Sequence, residues 1–215
     1  MNNKNTCIIF DMDGTLWNAT AGVTAAYNEY LYQNKGWKNY LTVEDIVSIT
    51  GLEIEEIADQ LFPQLSPQER YDLIRKCMSY ENEYLSKHGG CLYPDVETTL
   101  RKLAENHPLM IVTNADDGYV QAMFAAHDIG KYFVDFEMYG RTQLVKGENI
   151  KLIMKRNHIT NAVYVGDTLK DQEACKIAGI PFIYASYGFG DVKQYDARIN
   201  EFKDLLQQIE KFCWF

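Results

Sequence analysis

Nowhere in the chain do two cysteines stand at a Cys-x-x-Cys spacing. Cys7, Cys77, Cys91, Cys175 and Cys213 are scattered and odd in number, which excludes a disulfide framework and points to buried free thiols. His88, His107, His127 and His158 are likewise unpaired, which argues against zinc. No apolar run approaches the roughly 20 residues that cross a bilayer. The opening Met-Asn-Asn-Lys-Asn-Thr has no apolar stretch of the secretory kind, so a cytoplasmic protein is the expectation. Positive charge is scarce: 21 Lys and Arg against 30 Asp and Glu give a net charge of −9. That balance lacks the basic stripe that a nucleic-acid or membrane-surface partner requires, and any phosphate must be captured locally by few cations.

What is present is a folded chain. Its 215 residues, 47% hydrophobic and 24% charged, suffice for one good core and a small accessory domain. No internal repeat or low-complexity tract interrupts it.

The stretch that organises the rest is Thr-Cys-Ile-Ile-Phe-Asp-Met-Asp-Gly-Thr-Leu-Trp at residues 6–17. Cys7, Ile8, Ile9 and Phe10 are apolar without alternation, which suits a parallel strand covered on both faces. Asp11 and Asp13 follow at its carboxyl end, where open α/β sheets place ligands. Two carboxylates so close repel each other and call for a cation, and an all-oxygen set suits magnesium. The competing reading is an ordinary Asp-rich turn, with Gly14 supplying the bend.

After Leu16 no strand signal is expected until about residue 108. Helical spacing is read over 20–34. Thr42-Val-Glu-Asp opens a second helix through Ile49, closed by Gly51. A short helix follows near Ile54 to Leu61, and Ser66-Pro67-Gln68-Glu69 starts one that continues to about Lys87. So much helical sequence after one strand reads as a separate cap over residues 18–90, with His88-Gly89-Gly90 as hinge material. The core is then 1–17 and 91–215.

From Tyr93 onward helices and strands alternate. Strands are expected at 109–113, 133–138, 162–166 and 182–185, and helices near 96–105, 118–127, 149–157 and 169–178. This is the pattern of an α/β doubly wound parallel sheet. Phe202, Leu205, Leu206 and Ile209 suggest a final packing helix, anchored by Phe212, Trp214 and Phe215.

Three later groups carry chemistry. Thr113-Asn114 ends a strand just before a helix, an arrangement that binds anions but also makes ordinary turns. Lys146 precedes a helix and is either a surface charge or a site cation, with Lys151 as the competing choice. Asp167-Thr168-Leu169-Lys170-Asp171 ends a strand, and its two acids are either helix caps or site groups.

Asp-Met-Asp-Gly-Thr-Leu at 11–16, Thr113-Asn114, Lys146, and Tyr-Val-Gly-Asp-Thr-x-x-Asp followed by Ala-Gly-Ile-Pro at 178–181 resemble, in order, the motifs of haloacid-dehalogenase-like (HAD) phosphotransferases. Within that family the likeness is to the phosphoglycolate phosphatase and β-phosphoglucomutase group. The resemblance covers residues 7 to about 190 and implies a Rossmann-like core with an inserted helical cap. It implies Asp11 as nucleophile, Asp13 as general acid and base, and Lys146 as the catalytic lysine. Thr113, Asn114 and, from the cap, Gly51 would meet substrate. Mg²⁺ would be held by Asp11, Asp13 and Asp167, with Asp171 orienting Lys146 or a metal-bound water. Gly147 stands where the family commonly has proline, and Asn18 where it often has an acid.

The implied activity is magnesium-dependent hydrolysis of a small phosphorylated metabolite through an aspartyl phosphate. The alternatives are a sugar-phosphate mutase of the β-phosphoglucomutase type and a non-catalytic binding module. A mutase needs cations for a second phosphate, yet only Lys35 and Lys38 are basic between residues 18 and 69. Glu53, Glu55 and Glu56 are expected to face the site from the cap instead, disfavouring bisphosphates and phosphoglycolate. Arg70, Arg75 and Lys76 are the cations that could fold back.

Overall fold

The computed structural model describes residues 6–212. Its centre is a six-stranded, wholly parallel sheet: β1 (Cys7–Phe10), β4 (Leu109–Thr113), β5 (Asp135–Met138), β6 (Ala162–Gly166), β7 (Phe182–Ala185) and β8 (Ala197–Ile199). The strand order is β5-β4-β1-β6-β7-β8. The chain winds outward from β1 through β4 to β5, then returns to the other side of β1 for β6, β7 and β8. That reversal makes the tip of β1 the topological switch point, where α/β sheets open a crevice.

The unbroken apolar runs have a direct cause. Ile8, Phe10, Leu109, Ile111, Val163 and Val165 pack into one core layer, and Cys7, Ile9, Met110, Val112, Ala162 and Tyr164 into the other. With a layer on each face, neither set of alternating side chains meets water. α8 (Lys146–Arg156) and α9 (Leu169–Ala178) cover the second face through Ile150, Ile153, Ala174 and Cys175. α5 (Val96–Ala104), α6 (Tyr119–Ala126) and α10 (Leu205–Gln208) cover the first.

Between Asn18 and Cys91 lie four helices: α1 (Thr20–Lys35), α2 (Val43–Ile49), α3 (Ile54–Leu61) and α4 (Pro67–His88). Thr42 with Asp45, and Ser66 with Glu69, form reciprocal capping boxes that start α2 and α4, and Pro67 occupies the first turn of α4. The apolar layer of this insert, including Val23, Leu31, Ile46 and Phe62, is continuous with the first core layer of the sheet.

Several elements depart from the sequence reading. A two-stranded antiparallel ribbon, β2 (Trp17–Asn18) with β3 (Cys91–Leu92), joins the two ends of the insert. Strands of two residues are too short to show any period. Gly90 is required there because a Cβ would lie 2.9 Å from the Ala19 Cα. Cys91 is exposed on this ribbon rather than buried, whereas Trp17 of the same ribbon is buried in the first core layer and Leu92 packs against it. β8 and α7 (Tyr139–Thr142) are additional short elements. The final helix is broken: 3-10 turns at Phe202–Asp204 and Ile209–Phe212 flank α10, although Phe202, Leu205 and Ile209 are buried as expected. Cys213, Trp214 and Phe215 lie outside the described residues. No helix among the described residues is long and apolar enough to cross a membrane.

Candidate active site

Asp11, Asn114 and Asp167 each follow the last residue of a strand, and those strands, β1, β4 and β6, are neighbours. The strand order therefore gathers groups that are far apart in sequence. Asp11, Asp13, Thr113, Asn114, Lys146 and Gly51 line one cavity between the sheet tips and the insert.

Lys146 enters from the first turn of α8, which begins three residues earlier than the sequence suggests. A cation at a helix N-terminus opposes the helix dipole, so it needs strong partners. They are Asp171 Oδ1 at 2.7 Å and Asp11 Oδ1 at 3.1 Å, all three side chains being buried. The Asp11 contact is an ion pair off the hydrogen-bond axis, and Asp11 Oδ1 has no aligned donor. Lys151 instead pairs with Glu148 on the surface.

Asp171 serves two structures at once. Its Oδ2 accepts from the Asp167 N–H at 3.1 Å, the Thr168 N–H at 2.9 Å and the Thr168 hydroxyl at 2.7 Å, forming the capping box of α9. Its Oδ1 takes Lys146. The helix cap is Thr168, not Asp167, and Asp167 is left free for the site. Thr15 donates to Asp167 Oδ1 at 3.3 Å and the Phe189 N–H to Oδ2 at 2.7 Å. Gly14 lies against the same carboxylate with φ +77°, and a side chain there would overlap it.

Asp13 is half-buried, and its Oδ1 accepts from the Tyr119 hydroxyl at 2.9 Å. Burial pushes its carboxyl up to about 6 against the opposing pull of that hydrogen bond and of Lys146. Thr113 Oγ1 accepts from the Ala115 N–H at 3.3 Å. The Asn114 side-chain amide donates to the Gly51 carbonyl at 2.9 Å, tying the β4 tip to the insert, while its Oδ1 is a buried acceptor without a donor.

Electrostatically the floor of the cavity is short of positive charge. Oxygens of Asp11, Asp167 and Asp171 lie within 4.8 Å of one another, with one ammonium among them. Burial, then Asp171, push Asp11 up to about 7 despite Lys146. Burial, Asp171 and Asp11 hold Asp167 well above the usual carboxylate range. Burial works against the charge on Lys146, but Asp11 and Asp171 outweigh it and raise the ammonium above its ordinary value. These directions agree physically: the lysine stays charged, and the cost of crowding carboxyls around it falls on Asp11 and Asp167. A divalent cation fits here, because the set is all oxygen, Asp11 Oδ1 lacks a donor and the charge is under-compensated. Asp11 and Asp167 are the available side-chain ligands, since Asp171 is saturated by Lys146 and the α9 cap.

The expected acidic cap wall is not where the sequence suggests. Gly51 and Leu52 line the cavity, but Glu53 and Glu56 are spent on the capping box of α3, Glu56 also takes Lys170 at 2.5 Å, and Glu55 accepts from the Tyr139 hydroxyl at 3.2 Å. Helix-start chemistry and contacts to the sheet domain claim these carboxylates. The acids that do line the cavity from above are Glu81 and Asp116. Of the three candidate cations, Arg70 pairs with Asp59, and Arg75 reaches Asp116 Oδ1 at 3.1 Å.

Tyr119, the Phe189 N–H and Glu81 escape the sequence reading. A backbone donor such as Phe189 leaves no side-chain signal, and the bond from Tyr119 to Asp13 depends on how α6 packs. Glu81 does carry one: Ile74, Cys77, Met78, Glu81 and Leu85 form the buried stripe of α4, and an acid within an apolar stripe is anomalous.

Comparison with known proteins gives consistent matches. The family model for haloacid dehalogenase-like hydrolases matches residues 8–185. A protein of Escherichia coli strain K12 named phosphoglycolate phosphatase is 27% identical over 93% of this chain and 90% of its own length. One of Salmonella typhi with the same name is 26% identical with the same coverage. Among solved structures, a haloacid dehalogenase-like family hydrolase of Streptococcus pneumoniae has a TM-score of 0.79 at 22% identity, covering 97% of this chain and all of that one. CbbY of Rhodobacter sphaeroides, solved with phosphate, has a TM-score of 0.75 at 21% identity, covering 94% and 96%. At these identities the structures speak to the fold.

Proposed function

The chain belongs to the haloacid dehalogenase-like hydrolase family, and on that premise we propose that it is a magnesium-dependent phosphatase that hydrolyses small phosphomonoesters through a phosphorylated Asp11. The observation that carries this reading is the convergence of Asp11, Asp13, Thr113, Asn114 and Lys146 on one cavity, with Asp167 beside Asp11.

In this reading Asp11 attacks phosphorus in line and displaces the alcohol, which Asp13 protonates. The same Asp13, now a base, takes a proton from the water that cleaves the acyl phosphate and restores Asp11. Tyr119 fixes the Asp13 carboxyl for both transfers. Lys146, oriented by Asp171, and Thr113 with the Asn114 backbone amide hold the phosphoryl oxygens. Mg²⁺, held by Asp11, Asp167 and the Asp13 carbonyl, would supply the positive charge that lets an anionic nucleophile approach an anionic ester. Residues 18–90 act as a cap on a core of 1–17 and 91–215, the β2–β3 ribbon marking where the chain leaves and re-enters.

The curated relatives' name raises phosphoglycolate as a substrate. Lys146 is the only cation among the described residues that line the cavity, and it is engaged by Asp11 and Asp171. No cation remains for a second anionic group, which disfavours phosphoglycolate and the two phosphates of a mutase substrate alike. A non-catalytic module would have no use for a buried nucleophile, acid and lysine in register.

The test is phosphate release from a panel of monoesters that includes nitrophenyl phosphate. Activity is expected with Mg²⁺, lost in excess chelator and restored by Mg²⁺; full activity in chelator contradicts the metal assignment. Mg²⁺ is also expected to raise Tm in the wild type and much less in Asp167→Asn.

A further inference from the structure

The compartment above the phosphoryl site has its own chemistry. Glu81, near the middle of α4, is 6% exposed and lines the cavity. Beside it stands the hydroxyl of Tyr27, and no ion pair within 4 Å supplies it with a cation among the described residues. Arg75, which approaches from the same helix, is taken by Asp116. The rings of Tyr27 and Tyr119 face the same space, and Val23, Ile49 and Met78 complete an apolar wall. A buried carboxyl left without a counter-ion is costly unless something pairs with it. A carboxylate flanked by aromatic rings in an apolar pocket is the combination that recognises an alkylammonium group, through charge and cation–π attraction.

We propose that Glu81 is the specificity-determining residue for the leaving group, and that the preferred substrates are phosphomonoesters of small amino alcohols, whose ammonium group pairs with Glu81 between Tyr27 and Tyr119. The inference rests on the phosphatase reading above and adds the class of alcohol. An ammonium in the cavity supplies the counter-charge that the protein withholds, so Glu81 is a carboxylate in the complex. The cavity, about 90 Å³, holds an alcohol of a few heavy atoms, given that one water needs roughly 10–15 Å³ of such space. A carboxylate in the same place, as in phosphoglycolate, finds Glu81 and Asp116 there and no unengaged cation.

The experiment compares kcat/KM for aminoethyl phosphate, its uncharged isostere propyl phosphate, and phosphoglycolate, with nitrophenyl phosphate as a reference, for wild type and Glu81→Gln at fixed Mg²⁺. The wild type is expected to favour the ammonium ester over propyl phosphate by roughly 10- to 100-fold, the range for one hydrogen bond to a charged group, with phosphoglycolate last. In Glu81→Gln that ratio is expected to fall towards one. A wild-type ratio near or below one, or a variant that keeps the wild-type ratio, overturns the inference while nitrophenyl turnover leaves the phosphatase reading standing. If no ester at all is cleaved, both fall. Should Glu81→Gln not fold, the wild-type ratio alone decides.

Discussion

The floor and the roof of the cavity are built on different principles. On the floor, Asp11 and Asp171 hold Lys146 at ion-pair distances with Asp167 beside them, and Asp11 Oδ1 and Asn114 Oδ1 are buried acceptors left without a donor. In the roof, Glu81 has a phenol for company and stands among apolar side chains. On the proposed reading the floor is pre-organised for one reaction, whereas the roof selects what arrives attached to the phosphate. Reaction type and substrate choice thus reside in separate parts of the chain, strand tips for the first and the helical insert for the second.

Breaking the floor should cost most. Lys146→Ala leaves three buried carboxyls without their ammonium, which is expected to destabilise the fold by about 3–5 kcal/mol and to remove turnover. Urea unfolding measures the first; a loss below about 1 kcal/mol, as for a surface pair, would mean that the floor is solvated.

The floor was legible in the sequence, and the roof was not. Asp11 and Asp13 are separated by one residue, and Asp167 and Asp171 by one helical turn, so their chemistry shows within a short window. Strand-tip placement then follows from apolar runs whose two faces are both covered. The roof is assembled from α1, α2, α3 and α4, whose relative packing no local period reveals. Glu53, Glu55 and Glu56 misled for that reason: helix capping and the sheet-domain partners Lys170 and Tyr139 consume them. The ribbon at Trp17–Asn18 was invisible because two residues make no pattern, and the start of α8 at Lys146 was invisible because Val145 offers no side-chain cap.

A smaller effect is expected where floor and roof meet. Tyr119→Phe removes the hydrogen bond to Asp13 and should lower kcat about 10-fold for alkyl phosphates, the low end for a bond to a charged group. The loss should be smaller for nitrophenyl phosphate, whose leaving group needs no proton. Equal losses on both would mean that Tyr119 does not act through the acid.

A further effect probes the roof through stability. Burial, then Asp13 and Asp116, push Glu81 up to about 8 from an ordinary 4.5, while Tyr27 pulls it down. The native state therefore holds a proton that the unfolded chain has lost between those two values. Stability contributed by this group falls as pH rises through that window, and it is unaffected below it, where both states are protonated. Glu81→Gln has no such proton, so its Tm relative to wild type should climb from pH 4.5 to pH 8. A constant difference across the window would show that Glu81 is not buried as an acid.

The central claim, that Asp11 carries the phosphoryl group, has a direct chemical test. Wild-type protein turning over nitrophenyl phosphate with Mg²⁺ is quenched into borohydride, which reduces an acyl phosphate to an alcohol, and the reduced residue is located by peptide mass spectrometry. Asp11 converted to homoserine, with no conversion in the folded and inactive Asp11→Asn variant, is the expected result. Turnover with Asp11 unmodified, or modification at Asp13 or Asp167 instead, would contradict it.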